Sequence, residues 1–166
     1  MKKIAVILLL ISGLLYQCQK PPVYPDVPII DYHSFYVYVD TNSLGQAVLT
    51  GKMNFSFTDG DGNIGFEPDT TTEDLPDSIR YNLFLQTYDC DGGDFVLVPE
   101  EDGGYLKYII PYLDKQPLQG TISVNIEYPI IDYDTILYTF FLYDRDLNRS
   151  NTDTTDVRIL YFPESD

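Results

Sequence analysis

Beyond residue 28 the chain breaks into short runs in which apolar and polar residues alternate, and this period of two restricts the fold more than any other feature. Alternation places successive side chains on opposite faces of an extended strand, so one face can be buried while the other meets solvent. The run over 34–39 reads SFYVYV, rich in β-branched and aromatic residues. The run over 46–57 sets Val48, Leu49, Met53, Phe55 and Phe57 against Asn54 and Ser56. Over 80–88, Tyr81, Leu83 and Leu85 alternate with Asn82, Phe84 and Gln86, and over 118–127 Ile122, Val124 and Ile126 share one face. Runs over 95–98, 105–113, 135–143 and 157–162 complete a set of eight, separated by clusters of Gly, Asp, Pro and Asn. Short strands at that spacing predict an all-β sandwich or barrel. No stretch after residue 18 combines helical periodicity with caps. The longest connection, 67–78, is long enough to be functional or mobile.

Charge narrows the partners. The 166 residues include 26 Asp and Glu against 10 Lys and Arg, for a formal net charge of −16. Phosphate binding needs a basic face, so nucleic acid is excluded as a partner, and so is electrostatic docking on anionic lipid. A single histidine, His33, and two cysteines, Cys18 and Cys90, exclude most zinc sites and disulfide scaffolds. The 15 tyrosines and absent tryptophan suit half-buried strands with polar rims.

The first residues read as an address. Lys2 and Lys3 precede an apolar stretch over 4–15, too short for a membrane span of about 20 residues but right for a secretory signal peptide. The following Leu15-Tyr16-Gln17-Cys18 resembles the cleavage site of bacterial lipoprotein precursors, in which cleavage precedes a cysteine whose sulfur receives a diacylglycerol. The resemblance implies a signal peptide over 1–17 and a lipidated Cys18, with acyl chains holding the protein on the membrane. Cleavage removes two lysines and no acid, which makes the mature chain more acidic still. Pro21, Pro22, Pro25 and Pro28 then favour extended polyproline conformation, so 18–30 reads as a tether able to span roughly 30 Å. Residues 31–166 form the sandwich domain. With Cys18 acylated, Cys90 is a lone thiol or a small buried hydrophobe.

Two later segments carry chemistry. Thr58-Asp59-Gly60-Asp61-Gly62-Asn63-Ile64-Gly65 presents oxygen ligands at alternate positions, as calcium loops begin. Ile64 stands where an EF-hand needs glycine, so an EF-hand is excluded. Two readings stay open: a glycine-rich turn whose Asp and Asn side chains cap backbone amides, or part of a Ca²⁺ site built from Asp59, Asp61 and Asn63. The second segment runs from Tyr143 through Asp144, Arg145, Asp146, Asn148, Ser150 and Asn151. Here Arg145 reads as a bidentate donor stapling the loop to a nearby carboxylate, with Asn148 and Asn151 at turn positions. A third acidic turn is Asp89-Cys90-Asp91-Gly92-Gly93-Asp94. If the strands alternate strictly up and down, it shares an end with the Asp144 loop while the Asp59 turn lies at the other end, so one shared metal site is not to be assumed.

Together the Asp59–Gly65 turn and the DR-x-x-N-x-SN segment resemble a group of Bacteroidota lipoproteins of unassigned function. That resemblance implies an immunoglobulin-like antiparallel β-sandwich of about seven or eight strands. It implies an outer-membrane destination as well, since Gln19 follows the lipidated cysteine and not a retaining aspartate, and it brings no activity with it.

The enzyme tests come out against catalysis. A hydrolytic triad could form only through His33, which reads as a strand-edge histidine. No G-x-S-x-G, H-E-x-x-H or phosphate loop is present. With 26 acids, some pair always falls at glycosidase spacing, so such a pair has no diagnostic weight. Asp89 and Asp91 oppose a thiolate at Cys90. The expected function is therefore that of a non-catalytic, lipid-anchored envelope protein, a binding module or accessory component of an outer-membrane complex with a protein partner. A surface glycan-binding lipoprotein that stacks sugars on tyrosines is the alternative, and an enzyme using His33 or an acid pair the third.

Overall fold

The computed structural model describes residues 22–66, 80–112, 119–130 and 133–161. Cys18, the signal segment and the 67–78 connection lie outside the described residues. The chain is all-β: β1 (Ile29–Thr41), β2 (Ala47–Thr58), β3 (Leu83–Asp91), β4 (Asp94–Leu97), β5 (Tyr105–Tyr108), β6 (Gln119–Tyr128), β7 (Thr135–Leu142), β8 (Asp153–Thr154) and β9 (Arg158–Ile159), with one 3₁₀ turn at Glu100–Asp102. All ladders are antiparallel. One sheet has the order β1-β2-β6, and the other runs β4-β3-β7-β8, with β5 also on β3 and β9 also on β7. The chain thus crosses between sheets from β2 to β3, from β5 to β6 and from β6 to β7, as in an immunoglobulin-like sandwich.

The core follows the alternation. Phe35, Met53 and Phe55 from the first sheet face Leu83, Leu85, Phe140 and Leu142 from the second, and all seven are fully buried. Phe55 and Phe140 meet with ring centroids 5.1 Å apart, Phe35 and Tyr138 edge-on at 5.5 Å. At about 25 cal/mol per Å² of apolar surface removed from water, such side chains contribute roughly 1.5–3 kcal/mol each. The outer face of the second sheet has its own aromatic layer. Phe84 stacks on Phe141 at 5.4 Å, Tyr143 stands edge-on to both, and the Arg149 guanidinium lies 3.9 Å from the centre of the Phe141 ring. On the outer face of the first sheet a polar row crosses three strands. Ser123 Oγ donates to Asn54 Oδ1 (2.6 Å), and Asn54 Nδ2 donates to Ser34 Oγ (3.0 Å).

Strand β1 begins at Ile29, earlier than alternation alone indicates, because a bulge between Tyr32 and Ser34 shifts the register. The bulge lets both Ile30 and Phe35 face inward although five positions separate them. The free edge of β1 is closed by side chains from residues 151–158, which carry β8 and the start of β9. Asn151 accepts from Ile30 N (2.8 Å) and donates to Ile30 O (2.9 Å), Asp153 accepts from Tyr32 N (2.7 Å), and Arg158 Nε donates to Phe35 O. These bonds imitate a strand ladder, join the two sheets and block edge-to-edge association.

The position of the loops depends on β4 and β5. Both run antiparallel to β3, β4 against Tyr88–Asp91 and β5 against residues 83–86. They are two halves of one edge path, interrupted where 99–103 leaves the sheet and returns. Thr87 bonds across the gap in both directions, accepting from Val98 N (2.9 Å) and donating to Gly104 O (2.8 Å). The expected reversal between them does not occur. As a consequence, the end of β7 points the same way as the end of β2, and strict alternation had assigned them to opposite ends.

Candidate metal centre and end cleft

The Asp59 turn and the Asp144 loop meet, which overturns the expectation that they lie apart. Asp59 follows β2 in the first sheet and Asp144 lies two residues past β7 in the second. Asp59, Asp61 and Asp144 each present a carboxylate oxygen within 4.8 Å of the other two. Asp59 and Asp144 are fully buried and Asp61 is exposed.

The motif residues divide the work of building this corner. Asp59 Oδ2 accepts from the Asn63 amide at 2.8 Å, closing the turn. Asn63 Nδ2 donates to Asp61 Oδ2 (2.9 Å) and to Asp146 Oδ2 (3.0 Å), and its carbonyl accepts from Arg145 N (3.3 Å), so this one residue ties both loops together. Ile64 plugs the core. Gly60 leaves no room for a side chain, since a Cβ there would lie 2.4 Å from Tyr24 O, and its amide donates to Pro25 O at 2.7 Å. Gly65 combines a φ of +99° with close approach to Pro111 O, at 2.6 Å from where a Cβ would be. Across the corner, Asp144 accepts from Asn148 N (2.7 Å) and Asn148 Nδ2 (2.8 Å), which fixes its carboxylate.

Electrostatically the corner is unbalanced. Burial, and then the neighbouring charge of Asp61, push the Asp59 carboxyl up to about 6, against the opposing pull of the Asn63 amide. Asp59 Oδ1 and Asn63 Oδ1 are buried and accept no hydrogen bond among the described residues. Among the described residues, Arg145 does not supply the expected carboxylate staple. Its guanidinium lies 5.2 Å from the Tyr112 ring centre, and its contribution to the corner is the backbone bond to Asn63. Asn151 acts further along, on β1.

The other end is different in kind. The Asp89 hairpin is there, turning through Gly92 and Gly93 with φ of +62° and +100°, as a two-residue hairpin requires. Cys90 in it is a half-buried free thiol. Beside it the sheets part around a cleft of about 360 Å³, lined chiefly by Ile126, Tyr128, Tyr133, Ile136, Tyr138 and Leu160. Within it the buried Tyr128 and Tyr138 hydroxyls pair at 2.9 Å, and burial raises the pKa of both well above the ordinary tyrosine value. Sequence reasoning did not find this cleft, because its lining reads as ordinary strand alternation. His33 stands exposed on the β1 bulge, and Ser34 beside it is engaged by Asn54.

Comparison with models of known protein families, with curated proteins and with solved structures returns no match.

Proposed function

We propose that the chain is a non-catalytic contact module of a Gram-negative envelope, held on the outer membrane by acyl chains at Cys18 and serving as a binding module or accessory component of a membrane complex. One observation carries the reading: the two ends of the sandwich are unlike. The chain enters β1 from the corner where Pro25 is bonded to Gly60. The apolar cleft opens at the far end, between the sheets. A tether leading to one end leaves the other facing away from the lipid, where a concave apolar surface bounded by tyrosines is suited to a protein partner. The acidic surface keeps such a module soluble and selects basic or cation-bridged partners.

Two experiments test this. Cys18→Ala is expected to move the protein from membranes to the soluble fraction; continued sedimentation with membranes refutes the anchor. A photo-crosslinking residue at Ile130, on the cleft rim, is expected to capture an envelope protein, whereas one at Leu147, at the tethered end, is not. Capture at Leu147 alone refutes the orientation. The glycan reading finds some support in Tyr36 and Tyr38, whose rings lie 6.0 Å apart on β1 and are tilted by 34°.

A further inference from the structure

We propose that Asp59, Asp61 and Asp144, with the side-chain oxygen of Asn63, bind one calcium-type divalent cation that clips the two sheets together. The argument is independent of the anchoring and partner reading above. Ligand oxygens around Ca²⁺ lie about 2.3–2.6 Å from the ion, so two on opposite sides are separated by at most roughly 5 Å. Three carboxylate oxygens mutually within 4.8 Å match that sphere. The second observation is burial without a partner. Asp59 is wholly buried and Asn63 is 8% exposed, yet among the described residues Oδ1 of each accepts nothing. A buried acceptor with no donor costs free energy, and more so on a carboxylate beside two others. No ion pair among the described residues involves these acids: those present are Lys107–Glu100 and Arg158–Asp156.

The donor set selects the ion. All the donors are carboxylate or amide oxygens, which favours hard cations over zinc or copper. The ligands come from two loops on different sheets, and such an irregular set suits the flexible coordination of Ca²⁺ better than the strict octahedron of Mg²⁺. Turn and ligand roles coexist in the same residues. Asp59 caps the Asn63 amide with Oδ2 and keeps Oδ1, while each oxygen of Asp144 accepts one bond from Asn148 and retains a second lone pair.

The test uses the full protein in detergent, stripped with EDTA and titrated calorimetrically with CaCl₂, with Tm followed in parallel. Expected are one ion per chain, a Tm that rises with Ca²⁺ concentration, and weaker binding of Mg²⁺. Asp61→Asn, at an exposed position, and Asp144→Asn should each weaken Ca²⁺ by about tenfold or more. Asp91→Asn, in the hairpin at the other end, should leave it unchanged. A Tm indifferent to millimolar Ca²⁺ with no binding heat overturns the proposal and leaves a protonated Asp59 as the way the charge is relieved. Equal affinity in wild type, Asp61→Asn and Asp144→Asn also overturns it, as does Mg²⁺ binding as tightly as Ca²⁺.

Discussion

Replacing Gly104 with alanine probes the one local feature that brings the two acidic loops together. Gly104 is where the edge path returns to β3 after 99–103. A Cβ built on it falls 2.1 Å from Val98 O, 2.5 Å from Val98 C and 2.7 Å from Val98 Cβ. The nearest atoms are backbone, so relief requires the halves to move apart and strains the bonds that Thr87 makes to Val98 and Gly104. Overpacking of this kind costs about 1–3 kcal/mol and a weakened hydrogen bond about 0.5–1.5 kcal/mol, so the expected loss is about 2–4 kcal/mol. For a domain of this size that lowers Tm by roughly 6–12 °C. Gly103→Ala is the control. Its φ is +79°, but nothing lies within 4 Å of the added methyl, so only left-handed strain of about 1–2 kcal/mol is incurred. Urea unfolding followed by circular dichroism gives both values. Gly104→Ala as stable as Gly103→Ala, or more so, would refute the account of the interrupted edge.

Three further outcomes follow from the packing. Burial raises the Tyr108 hydroxyl from 10 to about 12 and raises Tyr128 and Tyr138 as well. The folded state therefore holds these protons more tightly than the unfolded chain, so their stabilisation is complete below pH 10 and is lost as pH rises from 10 towards 12. Urea midpoints at pH 9, 10 and 11 should fall progressively, and Tyr128→Phe should flatten the decline. Asn151→Ala removes both bonds to the backbone of buried Ile30 and should cost about 1–3 kcal/mol, with faster hydrogen exchange at the Ile30 amide. Arg149→Met takes the cation from the Phe141 face and should cost about 0.5–1 kcal/mol by thermal melting; no change in Tm would show that this contact adds nothing.

The strands were legible in the sequence wherever one face is buried continuously. β2 and β7 show this, with Met53, Phe55 and Phe57, or Ile136, Tyr138 and Phe140, every second residue in the core. Legibility failed where the pattern is broken or absent. The bulge after Tyr32 puts Ile30 and Phe35 out of phase, which hid the first third of β1. Strand β8 is Asp153–Thr154, without an apolar residue. Here the sheet is held at Thr155, which donates its amide to Tyr138 O and accepts the Tyr138 amide on Oγ1. Asn82 read as a strand-face polar residue. It is fully buried, and its side chain pairs with both backbone groups of Ile110, extending β5 beyond its last ladder residue.

The corner itself was half legible, for a physical reason. A motif reveals the local geometry that its glycines and Asx side chains impose, and Asp59 to Gly65 reads correctly as a tight turn. What it faces is set by the number of times the chain reverses. The excursion at 99–103 resembles a turn in composition, yet it returns the chain along the same edge in the same direction, so counting runs as traverses adds one reversal too many. That single reversal decides whether Asp144 lies beside Asp59 or at the far end of the sandwich. Once the loops meet, a capping role and a ligand role for Asp59 cease to be alternatives, because a carboxylate has an oxygen for each. The capping oxygen shapes the turn from within its own loop. The same carboxylate lies beside Asp144 of the other sheet, so the spacing of Asp59, Gly60 and Asp61 is a constraint on the whole sandwich as well as on its own turn.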